Sequence, residues 1–312
     1  MPPALPTLTE LTSGGKRVLA RALAAIETDA GSQALVALLD AACAAARAHV
    51  LGLTGPPGVG KSTLASALVT RARARGETIG VIAVDPSSRR TGGALLGDRA
   101  RIATDPNDTG VFIRSMAARD RLGGLSNETI AAMVLMRAIY DRVLIESVGI
   151  GQSEADISFA ADTVVLCVQP GSGDSLQFMK AGVMELPEVI AVTKADMGAA
   201  AQRARSDVEG ALSLSSEPGW RAPVVAVAAT RTEGLDDLED AVARHREFLS
   251  EHDRLAQRRG AQERAWIEET IRTRFGTDGL AASRGMAVAA TGPFTKELLI
   301  ADDLSRRLRA ST

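Results

Sequence analysis

The sequence predicts an α/β protein, a mostly parallel sheet flanked by helices, with a helical hairpin before it and a helical arm after it. Three observations carry this. Short runs apolar at every position alternate with helix-length segments, as expected for strands buried on both faces. The first such run flows directly into the glycine-rich string G-P-P-G-V-G-K-S and then into a helix-forming stretch. Finally, 312 residues with 46% hydrophobic and 24% charged side chains can bury a large core, built mainly from aliphatic residues because aromatics are only 3%.

Taken in order, residues 16–47 are rich in Ala and Leu at helical spacing, broken at T-D-A-G-S (28–32), where a Gly ends one helix and a capping Ser starts the next. Strand-length runs follow at 49–54, 78–84, 110–113, 142–145, 163–168, 189–193 and 223–227. After Gly234 the spacing returns to helical over 235–249 and 254–274. From Gly276 onward, Gly, Ala and Thr in mixed order ending in S-R-R-L-R are expected to form a terminal arm, partly disordered until it docks. The expected division is therefore an extension at 1–47, a nucleotide-binding core at 48–250 and an arm at 251–312.

Composition excludes several classes. A net charge of −2, from 36 basic and 38 acidic residues, provides no field for nucleic acid or anionic membrane. Two cysteines in apolar runs, Cys43 and Cys167, build no disulfide framework. Three histidines without ligand spacing argue against a soft-metal site built from this chain alone. The N-terminal text has no signal-peptide pattern, and no apolar stretch reaches about 18 residues, so a cytoplasmic location is expected.

The strongest motif is Gly55-x-x-x-x-Gly60-Lys61-Ser62, a complete Walker A pattern between strand and helix. Its backbone, Gly55 and Pro57 to Thr63 (Pro57, Gly58, Val59, Gly60, Lys61, Ser62 and Thr63), can wrap a phosphate chain with inward N–H groups at a helix N-terminus. Lys61 would reach the β and γ oxygens, and Ser62 would offer a hydroxyl to Mg2+. Further hard oxygen ligands should lie at C-terminal strand ends. Asp85 and Glu146 each end a strand, and Asp98 follows in a Gly-rich stretch where it reads equally as a turn or cap acid.

The strand V-I-A-V ends in Thr193-Lys194-Ala195-Asp196, the [NT]-K-x-D pattern. A carboxylate at Asp196 can accept from both N1–H and the exocyclic amine of guanine, whereas adenine would leave it unpaired, so GTP/GDP is favoured over ATP/ADP. The Lys194 stem would cover the base and Thr193 would brace the phosphate loop. A later strand brings Ala228, Ala229 and Thr230 where backbone amides can meet the guanine oxygen.

With D-P-S-S-R-R-T-G-G-A-L-L-G-D at 85–98, E-S-V-G-I-G-Q-S-E at 146–154 and P-G-S-G-D-S-L-Q at 170–177, residues 14–275 closely resemble the MeaB/ArgK/MMAA family of P-loop GTPases, of the SIMIBI class that also holds nickel- and zinc-handling chaperones. The resemblance implies a GTPase chaperone of an adenosylcobalamin-dependent acyl-CoA mutase that gates cofactor loading, ejects damaged cofactor and protects the enzyme. Methylmalonyl-CoA mutase and relatives such as 2-hydroxyisobutyryl-CoA mutase are the client class. It further implies a homodimer, a Mg2+ sphere of Ser62, Asp85, Asp98 and Glu146, and switches at 85–101, 146–156 and 170–180. Two departures stand out: Thr193 occupies the place of the usual Asn, and 115–124 carries Arg119, Asp120 and Arg121 where a Ser- and Gly-rich run is usual.

In many small GTPases a glutamine directly after the D-x-x-G glycine orients water. Here Ile150 follows Gly149, so hydrolysis is expected to be slow alone and to accelerate when the mutase brings Gln152, Glu154, Lys180 or a partner group to the γ-phosphate beside Lys61. The competing readings are an ATP-dependent small-molecule kinase, against which Asp196 argues, and a nickel- or zinc-insertion GTPase, which needs Cys/His clusters that this chain lacks.

Overall fold

A computed structural model describes residues 5–85, 102, 105, 107–117, 125–147, 156–171, 187–213, 219–286, 288–289 and 292–310, with Asp85 and Asp156 described for their backbone only. These residues group into two compact units. One comprises residues 49–126 and 140–256; the other comprises 1–48, 127–139 and 257–312.

The larger unit contains seven parallel strands: β1 (His49–Thr54), β2 (Ile79–Asp85), β3 (Val111–Ala117), β4 (Arg142–Glu146), β5 (Thr163–Val168), β6 (Val189–Val192) and β7 (Val224–Ala226). Their order across the sheet is β3-β2-β4-β1-β5-β6-β7, so β5, β6 and β7 follow outward from β1 on one side, while on the other β4 is inserted between β1 and β2. Every residue of β5, T-V-V-L-C-V, is buried, which explains its continuous apolar text. Helices Lys61–Ala74, Ala199–Leu212 and Leu235–Ser250 belong to this unit. Leu64, Leu68, Leu235 and Leu238 pack into the same core as Leu53, Leu144 and Val165.

Parallel pairing aligns all strand C-termini along one sheet edge and all N-termini along the other. At the N-terminal edge, Asp162 is fully buried and its Oδ2 accepts from Val50 N at 2.8 Å. His49 Nε2, Thr163 Oγ1 and His245 Nδ1 form a buried chain at 2.7 and 2.8 Å. Nearby, Glu239 collects Arg71 and Arg75. Burial pushes its carboxyl up, but the hydrogen bonds from Arg75 and Arg71 outweigh that and hold it below its ordinary value.

The smaller unit is helical: α1 (Leu8–Ser13), α2 (Gly15–Thr28), α3 (Gln33–Ala44), Asn127–Ile139, most of Arg254–Ser283, and a last helix, Pro293–Ala310. In chain order we label Lys61–Ala74 α4, Asn127–Ile139 α5, Ala199–Leu212 α6, Leu235–Ser250 α7, Arg254–Ser283 α8 and Pro293–Ala310 α9. Thr7 and Glu10 form a reciprocal capping box on α1, and Ser32 caps α3 through Leu35 N.

The helical arm expected after the core is present, but where the sequence suggests partial disorder from Gly276, α8 continues through a kink at Gly276 and residues 293–310 form the helix α9. The start of α9 is held by a side chain from a distant part of the same chain. Asp40 of α3 accepts from Phe294 N at 2.9 Å and from Thr295 N at 3.0 Å, while Phe294 and Ile300 are buried.

Candidate functional site

The site grows from the C-terminal edge of the sheet. β1 ends at Thr54 and the chain turns at Gly55, where φ is +135° and a Cβ would lie 2.2 Å from the carbonyl oxygen of Cys167. Only glycine fits that approach. The loop then enters α4 through Gly60, also at positive φ, so the first amides of the helix face the loop concavity. Gly52, three residues earlier, has no room for a Cβ either, since Ile157 and Ala161 pack onto it.

Lys61 is 6% exposed, and its ammonium donates to Gly55 O at 2.7 Å and Pro56 O at 3.0 Å. It is therefore folded back over the loop that precedes it. Ser62 Oγ donates to Glu146 Oε1 at 2.6 Å, which joins the start of α4 to the end of β4; Glu146 is 3% exposed. A hydroxyl and a carboxylate at this spacing are hard oxygen donors of the kind that bind Mg2+, which keeps waters and substrate oxygens in its remaining positions. The donor set suits that ion and no soft metal. Among the described residues no group of three or more His, Cys, Asp and Glu forms a metal cluster. Asp85 ends β2 on the same sheet edge. Its side chain lies outside the described residues, as do Asp98, Gly149, Gln152, Glu154, Lys180 and the loop containing Arg119, Asp120 and Arg121.

The second half of the site comes from β6 and β7. Thr193, 5% exposed, places Oγ1 at 2.7 Å from Val59 O in the phosphate loop and 2.9 Å from Val168 O at the end of β5. Lys194 has left-handed backbone, φ 53°, and its Nζ donates to Gly58 O at 3.0 Å and to Gln169 Oε1 at 2.5 Å. Ala195 N donates to Val227 O at 3.1 Å, tying the two base-facing loops together. Val59, Gly60, Thr63, Thr193, Lys194, Asp196 and residues 227–230 line one pocket of about 220 Å³. Asp196 is exposed at its rim.

The Ala228 amide is spent on Glu233 O at 3.0 Å. The donors left to face a base oxygen are those of Ala229 and Thr230, at the start of the 3-10 turn Ala229–Arg231, where the first amides have no intrahelical acceptor.

Sequence reasoning passed over three residues of this site. Ser147 Oγ donates to Thr54 Oγ1 at 2.9 Å, a buried hydroxyl pair between the two strands that carry Gly55 and Glu146. Gln169 follows β5 and receives the Lys194 ammonium. Ser147 falls inside the E-S-V-G-I-G-Q-S-E string without being singled out there, and Thr54 and Gln169 are marked only by standing at the end of a buried run or one residue beyond it. Cys167 is buried beside the loop, and burial pushes its thiol up to about 12 despite Lys61, so it is an inert packing group.

Comparison with known proteins places this geometry in a family. The family described as "Methylmalonyl Co-A mutase-associated GTPase MeaB" matches residues 19–283. A Pyrococcus horikoshii protein named as a GTPase is 42% identical over 271 residues, 85% of this chain and 84% of the relative. The GTPase ArgK of Escherichia coli is 34% identical over 84% of this chain and 82% of its own. The mouse methylmalonic aciduria type A homolog, a mitochondrial protein, is 34% identical over 73% of this chain and 57% of its own. Among solved structures, an LAO/AO transport system kinase superposes with a TM-score of 0.69 at 26% identity, covering 97% of this chain and 96% of that one.

Proposed function

Because the chain belongs to the family of methylmalonyl-CoA mutase-associated GTPases, we propose that it uses GTP binding and hydrolysis to gate adenosylcobalamin loading, and the release of damaged cofactor, on a cobalamin-dependent acyl-CoA mutase. The chain itself is a P-loop GTPase. One observation supports the guanine reading above all. The Walker A loop and the T-K-A-D segment, more than 130 residues apart (|i−j| of 134 and 136 for the two bonded pairs), are joined by Thr193 to Val59 and Lys194 to Gly58 around a single pocket.

In this reading the amides from Gly58 to Thr63 cradle the phosphates, and Lys61 leaves Gly55 O and Pro56 O to meet the β and γ oxygens. Asp196 accepts from guanine and rejects adenine. Ser62 and Glu146, with Asp85 and Asp98, are the residues that would hold Mg2+, which neutralises charge developing on the phosphoryl oxygens. Gln152, Glu154 and Lys180 are the chain's own candidates for completing the site when the mutase docks, and Ile150 after Gly149 supports slow hydrolysis until then. The reading includes a homodimer acting in the cytoplasm. Among the described residues no helix is long and apolar enough to cross a membrane.

The test is GTP hydrolysis by the purified chain in Mg2+, alone and with an adenosylcobalamin-dependent acyl-CoA mutase, with ATP as the control. GTP-specific turnover that rises with the mutase is the expected result. Fast turnover of the isolated chain removes the gating step, and equal use of ATP replaces the proposal with a small-molecule kinase.

A further inference from the structure

Lys194 holds a conformation that its own residue type disfavours. Its φ is 53° and ψ 42°, the left-handed region in which a Cβ crowds the following carbonyl, and it is not glycine. Something must fix it there, because the same backbone turn aims Asp196, two residues on, at the pocket rim. A free lysine carries a flexible four-carbon stem with a large rotamer entropy, and an exposed ammonium has no reason to choose one direction. Here the ammonium is held at two points. One is Gly58 O, inside the phosphate loop, at 3.0 Å; the other is Gln169 Oε1 at 2.5 Å.

The second anchor stands on firm ground. Gln169 directly follows Val168, the last residue of the fully buried strand β5. Val168 O accepts from both Thr193 N at 2.8 Å and Thr193 Oγ1 at 2.9 Å. Residues 168–169 and 193–194 are thus joined by Thr193 N to Val168 O and Lys194 Nζ to Gln169 Oε1, with the Thr193 hydroxyl shared between Val168 O and Val59 O, and Gln169 is the first residue after the buried strand β5. A carboxamide oxygen has the reach and acceptor strength for an ammonium. With both ends of the stem fixed, the methylenes of Lys194 form one wall of the 220 Å³ pocket.

From this geometry we propose that Gln169 is a positioning residue for guanine recognition: by holding the Lys194 ammonium it pre-orders the lysine stem and the Asp196 carboxylate that follows. The inference rests on the guanine reading of this pocket. It acts through Lys194 and requires no contact between Gln169 and the nucleotide.

The experiment is equilibrium titration of the full-length protein in Mg2+ with GDP and with ADP, for the wild type, Gln169→Leu, Gln169→Glu, Lys194→Ala and the double variant Gln169→Leu/Lys194→Ala. Loss of one hydrogen bond to a charged group from a partly exposed position should weaken GDP binding about 5-fold in Gln169→Leu. Gln169→Glu keeps an acceptor of the same length and should bind GDP within about 2-fold of wild type. The double variant should bind no more weakly than Lys194→Ala, because the effect passes through the lysine. The melting temperature of Gln169→Leu should stay within about 1 °C of wild type, as expected for a surface change away from the core.

Wild-type affinity in Gln169→Leu, an equal loss in Gln169→Glu, or additive losses in the double variant would each overturn the inference while leaving the guanine reading intact. Wild-type protein that binds ADP as tightly as GDP would overturn the guanine reading and this inference with it.

Discussion

Replacing Thr193 separates what the brace between β6 and the phosphate loop does for folding from what it does for binding. The hydroxyl has two acceptors within reach, Val59 O at 2.7 Å and Val168 O at 2.9 Å, but a single proton. Valine keeps the shape and deletes the donor. Thr193 is 5% exposed, so the loss falls in the buried regime, where a hydrogen bond with its abandoned acceptor is worth about 1–2 kcal/mol. For a domain of this size that is a fall of about 3–6 °C in melting temperature.

The effect on affinity must be smaller. A bond that is intact with and without nucleotide cancels from the binding equilibrium, and only the loop ordering it supplies in advance counts. Thr193→Val is therefore expected to weaken GDP binding by about 3-fold, well short of the ~10-fold that the whole 1.4 kcal/mol would give. Asparagine offers two N–H donors and can serve both acceptors at once, so Thr193→Asn should raise the melting temperature and bind GDP at least as tightly as wild type. Thermal melts and fluorescent-GDP titrations read the two quantities separately. Unchanged melting and affinity in Thr193→Val, or a lower melting temperature in Thr193→Asn, would refute the reasoning.

The remaining expectations are shorter. Asp196→Asn exchanges an acceptor for a mixed amide and forfeits two charge-assisted bonds to guanine, so GTP affinity should fall by about 100-fold or more while xanthosine triphosphate improves; competition titration with both nucleotides checks this. Asp40→Ala removes the acceptor shared by Phe294 N and Thr295 N. Hydrogen exchange should then speed up across α9, with a loss of about 1–2 kcal/mol that leaves GTP hydrolysis unchanged. Glu239 has its folded pKa below the ordinary 4.5, so its contribution to stability is present above 4.5 and is lost as pH falls through the folded value. Glu239→Gln should therefore narrow the stability gap between pH 7 and acid, measured by denaturant unfolding at several pH values; an unchanged pH profile would show that the Arg71 and Arg75 contacts are solvent-screened.

The central strands and the site were legible in the sequence for one reason: both are local. β1, β4, β5 and β6 are built on continuous apolar runs, and the phosphate and base motifs are contiguous strings at strand ends. What escaped the text depends on residues distant in sequence. β3 extends through Phe112, Ile113, Arg114 and Ser115, all half-buried, so its second half reads as polar. The helix α9 reads as a loose arm because its N-terminal acceptor, Asp40, lies more than 250 residues earlier (|i−j| of 254 to Phe294). Gln169 was invisible for the same reason, since its role exists only once β5 and β6 pair with Val168 beside Val192.

The two edges of the sheet divide the work of the molecule, and that division explains how the site can hold disfavoured backbone. At the C-terminal edge, Gly55, Gly58, Gly60 and Lys194 all have positive φ. For Lys194 alone this costs about 1–2 kcal/mol. At the N-terminal edge the same central strands are fastened by buried polar bonds: Val50 N to Asp162 Oδ2, Asp162 N back to Val50 O at 2.8 Å, and His49 to Thr163 to His245. Thr163 has one proton for two imidazole nitrogens, so it donates to one and accepts from the other, which fixes β1, β5 and α7 in a single arrangement. β1 and β5 then run in register from Leu51 opposite Thr163 to Thr54 opposite Leu166. The position of Gly55 against Cys167 O is thereby set by bonds made at the far end of both strands. Strain at one edge persists because the other edge leaves the strands no cheaper register to adopt.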